Sequence, residues 1–341
     1  MIVQRQFSLR KFNTFGLDVH ANYFVEVFSE DELDEFLHNA DECPLPPLVI
    51  GGGSNMLFLG DFPGTILRIS TKGIQVVGET DDFVMVKASG GEIWDDLVKF
   101  CVDHGWGGLE NLSWIPGKVG TAPVQNIGAY GVEIKETLFD LEALNIEDFS
   151  KRIFSNSECK FGYRESVFKH ELKGKYIILN VTFKLSKHPS IHIDYGNIRD
   201  ELAKNGITQP GIRDVREAVI NIRTRKLPEP SEIGNAGSFF KNPVVTPEKM
   251  KELRMKFPAI VAFPQDKNYK IAAAWLIEQC GWKGKRIGDA GVHATQPLVL
   301  VNHGSATGKE IYELSQSIRK DVQEKFGIEL ETEVNIINGQ N

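Results

Sequence analysis

GWGGLENLSWIPGKVGTAPVQNIGAYG, residues 105–131, is the stretch whose reading decides the fold. It holds seven glycines in 27 residues, interspersed with Thr121, Gln125, Asn126 and a set of apolar side chains. A linker has no use for so much apolar surface. A loop folded tightly over a large, flat, partly polar ligand needs both, because glycine lets backbone approach closely while the apolar groups bury what is held. Residues 105–131 therefore read as a cofactor loop in preference to an irregular structural one. Upstream, VIGGGSN at residues 49–55 runs an apolar strand into three glycines and two small polar residues. Such a turn can offer backbone N–H groups to a phosphate. It is equally readable as a tight turn with no ligand. Neither G-x-G-x-x-G spacing nor a P-loop lysine is present, which disfavours a dinucleotide-binding Rossmann unit or an NTPase.

Around these loops the pattern is α+β with short elements. Apolar alternation and β-branched residues predict strands at 23–28, 48–50, 65–69, 83–88, 138–145, 176–185, 190–195, 297–302 and 330–337. Ser29 with Glu32, Ser89 with Glu92 and Thr307 with Glu310 have the spacing of capping boxes and predict helices after them. Further helices are expected at 214–225 and 269–279, with Gly105 and Gly281 as stops. The run KLPEPSE from Lys226 reads as a hinge, since its two prolines fit neither a helix interior nor a central strand.

At 341 residues and 41% hydrophobic, the chain can bury more than one core. A net charge of −7 argues against a nucleic-acid partner. The start of the chain lacks the apolar core of a signal peptide, and no run is long enough to span a membrane. Cys43, Cys101, Cys159 and Cys280 are scattered and read as reduced thiols of a cytoplasmic protein. The eight histidines show no ligand spacing, so no bound metal is expected.

Three polar clusters stand apart from the loops. Arg164, in FGYRES, is by composition an ordinary ion-pairing arginine. Ser238, in GNAGSFFKNP, is as consistent with a turn entering a buried strand. It lies in no nucleophile elbow and has no Asp/His pair placed for a triad. Glu333, in LETEV, reads as the solvent face of a strand. Arg213, Arg216, Arg223, Arg225 and Lys226 make a basic cluster that is in part a solvated helix face.

The glycine run with Ser54 and Asn55, followed later by IPG-x-VG-x-x-P-x-QNIGAYG, resembles the UDP-N-acetylenolpyruvoylglucosamine reductase family. That family belongs to the flavoprotein superfamily of p-cresol methylhydroxylase and vanillyl-alcohol oxidase. The resemblance runs from Asn13-Thr14-Phe15 to Glu333-Val334. It implies an α+β chain with a two-part FAD-binding domain of that type and a C-terminal α+β substrate domain. The expected segments are 1–70, with 329–341 packing back on it, then 71–225, then 226–328.

The resemblance also implies roles. FAD, bound non-covalently because no attachment residue is evident, would meet Gly51, Gly52, Gly53, Ser54, Asn55, Ile115, Pro116, Gly117, Gly120, Thr121, Ala122, Gln125, Asn126, Gly128, Ala129, Tyr130 and Arg223. Arg164 would hold the substrate carboxylate, Ser238 would act as general acid, and Glu333 would assist the enol intermediate. Tyr195 matches the tyrosine loop of one of the two family classes, and Lys226, Asn242 and Gln296 match contacts to the UDP-sugar. Asn335 stands where many relatives have an arginine. The implied reaction is NADPH-dependent reduction of UDP-N-acetylglucosamine enolpyruvate to UDP-N-acetylmuramate, in peptidoglycan precursor synthesis. The enzyme is expected to be a cytoplasmic monomer acting on a small molecule, with no nucleic-acid or membrane partner. An alcohol or sugar oxidase of the same superfamily is the rival enzyme, and a UDP-sugar or flavin-binding module the rival of another class.

Overall fold

The computed structural model describes residues 1–39 and 43–339. The chain separates into two units, each assembled from discontinuous segments. The first comprises Met1–Phe7, Ala21–Gly52 and Pro63–Arg225, and the second Ser8–His20, Gly53–Phe62 and Lys226–Asn341.

In the first unit, strands Ile2–Ser8, His20–Val27, Phe62–Ile69 and Leu48–Ile50 form a sheet in that order. Leu48–Ile50 runs parallel to Phe62–Ile69, with Leu48 opposite Ile66. The helix Glu30–His38 lays Leu33, Phe36 and Leu37 into a core with Val25, Val27, Leu67 and Ile69. Ser29 Oγ caps it by accepting from Glu32 N at 3.1 Å. The Glu32 carboxylate returns to Phe28 N at 2.8 Å, one residue short of a closed capping box.

A second sheet orders Lys151–Ser155, Leu138–Asn145, Tyr176–Ser186, Phe83–Ser89 and Ile74–Glu79, all antiparallel. Val84, Val86 and Ala88 point alternately inward and meet Trp94, Leu97, Val98 and Cys101 of the helix Trp94–Asp103. The Ser89/Glu92 box is corrected here. Ser89 ends a strand, and the helix starts at Trp94 with Ile93 as N-cap. The Glu92 carboxylate is spent on Gly73 N (2.7 Å) and Lys72 Nζ (2.9 Å). Gly105, at φ +80°, follows the helix C-cap His104.

Residues 190–195 also differ from expectation, since the segment joins no sheet. Its apolar alternation is real, because Ile191 and Ile193 pack on the small core of Ile198, Leu202, Val215 and Val219. A strand also needs a ladder, and the His192 carbonyl bonds a side chain instead, Asn111 Nδ2 at 2.8 Å. That core belongs to the helices Ile198–Lys204 and Ile212–Lys226, of which the first carries too little periodicity to be read from sequence.

In the second unit the largest sheet orders Gly234–Ser238, Val299–Asn302, Ala290–Val292 and Arg286–Ile287. The helix Gly308–Phe326 opens on a complete Thr307/Glu310 capping box and closes at Gly327, φ +63°. Val244–Val245, Asn268–Ile271 and Ala262–Gln265 form a three-stranded sheet. The helix expected over 269–279 is shorter for that reason, Ala273–Gln279, with its first residues drawn into the strand. A helix Pro247–Lys256 was not anticipated, although Thr246 as N-cap with Pro247 at the first position is a sequence signal for one.

The final strand is Asn335–Ile337, pairing parallel with Met56–Phe58, and not the longer 330–337. Residues 331–333 instead bond across to 239–241, and the chain bends before Asn335. Among the described residues no helix is long and apolar enough to cross a membrane.

Candidate active site

In the first unit the loop after Ile115 lies along residues 90–94. Trp94 N donates to Gly117 O (3.1 Å), Val119 N to Glu92 O (2.9 Å) and Gly120 N to Gly90 O (2.9 Å). Thr121 Oγ1 donates to Lys118 O at 2.9 Å. A Cβ on Gly120 would come within 3.0 Å of Gly90 Cα and of Ile178 O. A Cβ on Gly51 would come 2.7 Å from Thr121 Oγ1. Such close-set glycine backbone is what a flat cofactor carrying a diphosphate requires, and the residues present fit FAD.

Beyond Ala122 the loop enters a hairpin, Gly128–Ala129 against Val132–Glu133. Tyr130 at φ +50° and Gly131 at φ +85° make its two-residue connection. Both central residues have positive φ, the signature of a type I′ turn. Asn126 is fully buried, and its amide donates to Glu133 Oε2 (3.1 Å) and Gly162 O (2.8 Å) and accepts from Lys135 N (3.2 Å). Its side chain holds the turns together, and its backbone N–H donates to Pro123 O at 3.2 Å.

Arg164 sits at the tip of the 162–165 turn, where Gly162 and Glu165 exchange backbone bonds of 3.0 and 3.2 Å. Its φ is +57°, a region non-glycine residues seldom occupy. Its Nη2 donates to Gly128 O at 2.7 Å. A strained arginine bonded to the 128–133 hairpin is a stronger functional signal than FGYRES alone.

The basic cluster resolves largely into ion pairs. Arg216 forks onto both Asp95 oxygens at 2.7 Å, Arg225 pairs with the buried Glu201, and Arg213 donates to Asp103 O. Burial works to raise the Asp95 pKa, but the Arg216 fork and the Trp114 N–H together hold it below its ordinary value. Arg223 Nε donates to Trp114 O at 3.1 Å. Burial pulls its guanidinium below the usual arginine value, with Tyr130 and Asp95 opposing. Lys226, ending its helix, is exposed. Tyr195 is 44% exposed.

Two residues of the quoted loop were passed over in the sequence. Lys118, between glycine and valine, looks solvent-facing, yet it is 7% exposed and its Nζ donates to Ile69 O and Ser70 Oγ. Asn111 looks like an ordinary turn residue, yet it is 1% exposed.

Ser238 and Glu333 are brought together by the second unit. A β-bulge lies between Asn235 and Ser238, with Gly237 at φ +66°, just before the buried Phe239 and Phe240. The next residues pair with the C-terminal segment: Glu333 N donates to Phe239 O (2.8 Å), Phe240 bridges Thr332, and Lys241 N donates to Glu331 O (2.9 Å). Glu331 is the solvent-facing acid, paired with Lys241 at 3.2 Å.

The same unit holds Gly53, Ser54 and Asn55. Gly53 has φ +64° and passes so close to Phe12 that a Cβ would lie 1.9 Å from its carbonyl oxygen. Thr14 N bonds Gly53 O at 3.2 Å. Asn55 Nδ2 donates to Glu333 O at 3.2 Å, and Asn335 donates to Asn55 O through both N and Nδ2, each at 3.0 Å. Asn335 thus links the glycine turn to the Glu333 segment through short polar contacts. Asn242 Oδ1 accepts from Ala273 N at 2.9 Å at the start of a helix, and Gln296 O accepts the Val299 N–H.

Comparison with known proteins agrees with these elements. Residues 21–147 match the model of an FAD binding domain, and 229–337 that of the UDP-N-acetylenolpyruvoylglucosamine reductase C-terminal domain. The chain is 49% identical over 340 residues to the UDP-N-acetylenolpyruvoylglucosamine reductase of Flavobacterium johnsoniae, covering 99% of this chain and 100% of that one. It is 50% identical over 335 residues to that of Pseudomonas syringae pv. tomato, covering 98% of each. The crystal structure of the corresponding reductase from Thermus caldophilus superposes with a TM-score of 0.69 at 25% identity, covering 99% of both chains. The chain therefore belongs to the UDP-N-acetylenolpyruvoylglucosamine reductase family, and it is an FAD-dependent oxidoreductase of the UDP-N-acetylmuramate dehydrogenase type.

Proposed function

We propose that the enzyme reduces the enolpyruvyl ether of UDP-N-acetylglucosamine to UDP-N-acetylmuramate with NADPH as electron donor, in peptidoglycan precursor synthesis. The observation that carries this reading is the backbone pairing of 239–241 with 331–333, which brings Ser238 and Glu333 close in one unit. The glycine turns would hold FAD non-covalently, and the bound cofactor would supply hydride transfer from nicotinamide to the substrate. Arg164 binds the substrate carboxylate with a guanidinium already fixed by Gly128 O. As the methylene carbon takes up hydride, negative charge builds toward that carboxylate, and Arg164 and Glu333 stabilise the enol form. Ser238 Oγ gives its proton to the adjacent carbon, completing the lactyl ether, and is reprotonated from solvent. Tyr195 closes over the nucleotide sugar, with Lys226, Asn242 and Gln296 as further contacts.

Ser238→Ala tests the assignment. A positioned general acid contributes roughly 10²–10⁴-fold. The variant should therefore still be bleached by NADPH at the normal rate, while reoxidation by the enolpyruvyl substrate slows by about that factor. Equal losses in both half-reactions would make Ser238 structural.

A further inference from the structure

Asn111 lies on a rigid platform. In the turn Glu110–Leu112, the Trp94 indole donates to Leu112 O (2.8 Å), Ser113 Oγ donates to Glu110 O (2.6 Å), and the Glu110 carboxylate accepts from Gly108 N (2.6 Å). From there its Nδ2 donates to two carbonyls on segments remote in sequence, Tyr130 O at 3.1 Å and His192 O at 2.8 Å. Tyr130 turns the cofactor hairpin, and His192 lies just before Tyr195. The Asn111 Oδ1 is buried and makes no hydrogen bond among the described residues. The amide cannot be flipped to satisfy it, because its oxygen would then face two carbonyl oxygens. The fold thus keeps an orphaned acceptor and places the donor end on both carbonyls.

Packing joins the same two segments. A Cβ on Gly131 would lie 3.1 Å from Tyr195 Cβ, and one on Gly196 would lie 3.2 Å from Tyr130 Cδ1. Each tyrosine therefore rests on the glycine beside the other. Ile191 and Ile193 anchor the segment to the helical core, while Tyr195 stays 44% exposed.

We propose that Asn111 is a positioning residue that fastens the base of the Tyr195 segment to the cofactor hairpin. Tyr195 then starts closure from a set position, with the ring free to move. The proposal rests on the reading that Tyr195 closes over the substrate. It requires asparagine specifically, because an aspartate of the same shape would turn lone pairs on both carbonyls.

The test uses Asn111→Asp and Asn111→Leu in the FAD-loaded enzyme. In each, NADPH should bleach the flavin at a rate within about twofold of normal, while KM for the enolpyruvyl UDP-sugar rises about tenfold or more, as expected for two lost neutral hydrogen bonds. Hydrogen exchange of amides 190–197 in the cofactor-free chain should speed up, with that of 138–145 unchanged. Unchanged KM in both, with Tyr195→Ala raising it, overturns the role of Asn111. An unchanged KM in Tyr195→Ala as well overturns the underlying reading of Tyr195. If flavin reduction and substrate turnover fall together, Asn111 is merely structural and the proposal also fails.

Discussion

Lys118 shows what a single side chain in the glycine-dense loop contributes. Burial, with Arg68 and Lys72 adding like charge, pulls its ammonium from the ordinary 10.5 to about 8, against the attraction of Glu26 and Glu92. The folded chain then holds this proton less tightly than the unfolded chain. Lys118's contribution to stability is fully favourable only above 10.5 and declines as pH falls toward 8. The Tm difference between wild type and Lys118→Met should accordingly climb in favour of wild type from pH 8 to 10 and stay level from 6 to 7.5. A flat difference throughout would mean that Lys118 is not depressed. None of this was legible in IPGKVG, because a lysine's burial depends on what the rest of the chain lays over it. Arg164 and Ser238 were visible as residues, but the left-handed turn rests on a backbone exchange between Gly162 and Glu165 that FGYRES does not signal, and the bulge before Ser238 arises from long-range pairing.

At the scale of elements, local chemistry read well where it was complete. Thr307 with Glu310 closes both bonds of its box, and the helix begins there. Ser89 with Glu92 has the same spacing, but Gly73 and Lys72 compete for the carboxylate, and the helix starts later. The extended 190–195 segment misled because alternation reports burial and does not report whether a neighbour exists to pair with. The two glycine loops approach each other closely at Gly51 and Thr121, and their contact yields a prediction. In Gly51→Ala the new methyl meets Thr121 Oγ1 at 2.7 Å and Cγ2 at 2.9 Å. The cofactor-free chain should lose about 1–3 kcal/mol, typical of overpacking. Adding Thr121→Ala should restore most of the lost Tm, since the nearest remaining Thr121 atom, Cβ, lies at 3.3 Å. No recovery would mean the strain lies elsewhere.

At the scale of the whole molecule, the chain is interleaved in a way no local pattern reveals. The second unit takes 8–20 and 53–62 from the early chain and the rest from beyond Arg225. Its bonds cross that gap: Asn235 N to Thr14 O (2.9 Å), Asn302 Nδ2 to Phe15 O (3.0 Å), and Asn335–Ile337 paired with Met56–Phe58. Lys226 is exposed at the end of its helix, before an irregular stretch through Ile233. Limited trypsin digestion should therefore nick the chain at Lys226 and leave two fragments that co-elute on native gel filtration and separate in denaturant. Separation without denaturant would contradict the interleaving.

The central claim is that this FAD enzyme passes electrons from NADPH to an enolpyruvyl UDP-sugar. The most direct test is anaerobic. Purified enzyme is titrated with NADPH until the flavin absorbance bleaches, and UDP-N-acetylglucosamine enolpyruvate is then added. The account predicts return of the oxidised flavin spectrum, with one UDP-N-acetylmuramate formed per flavin. A flavin that stays bleached until oxygen is admitted would contradict it.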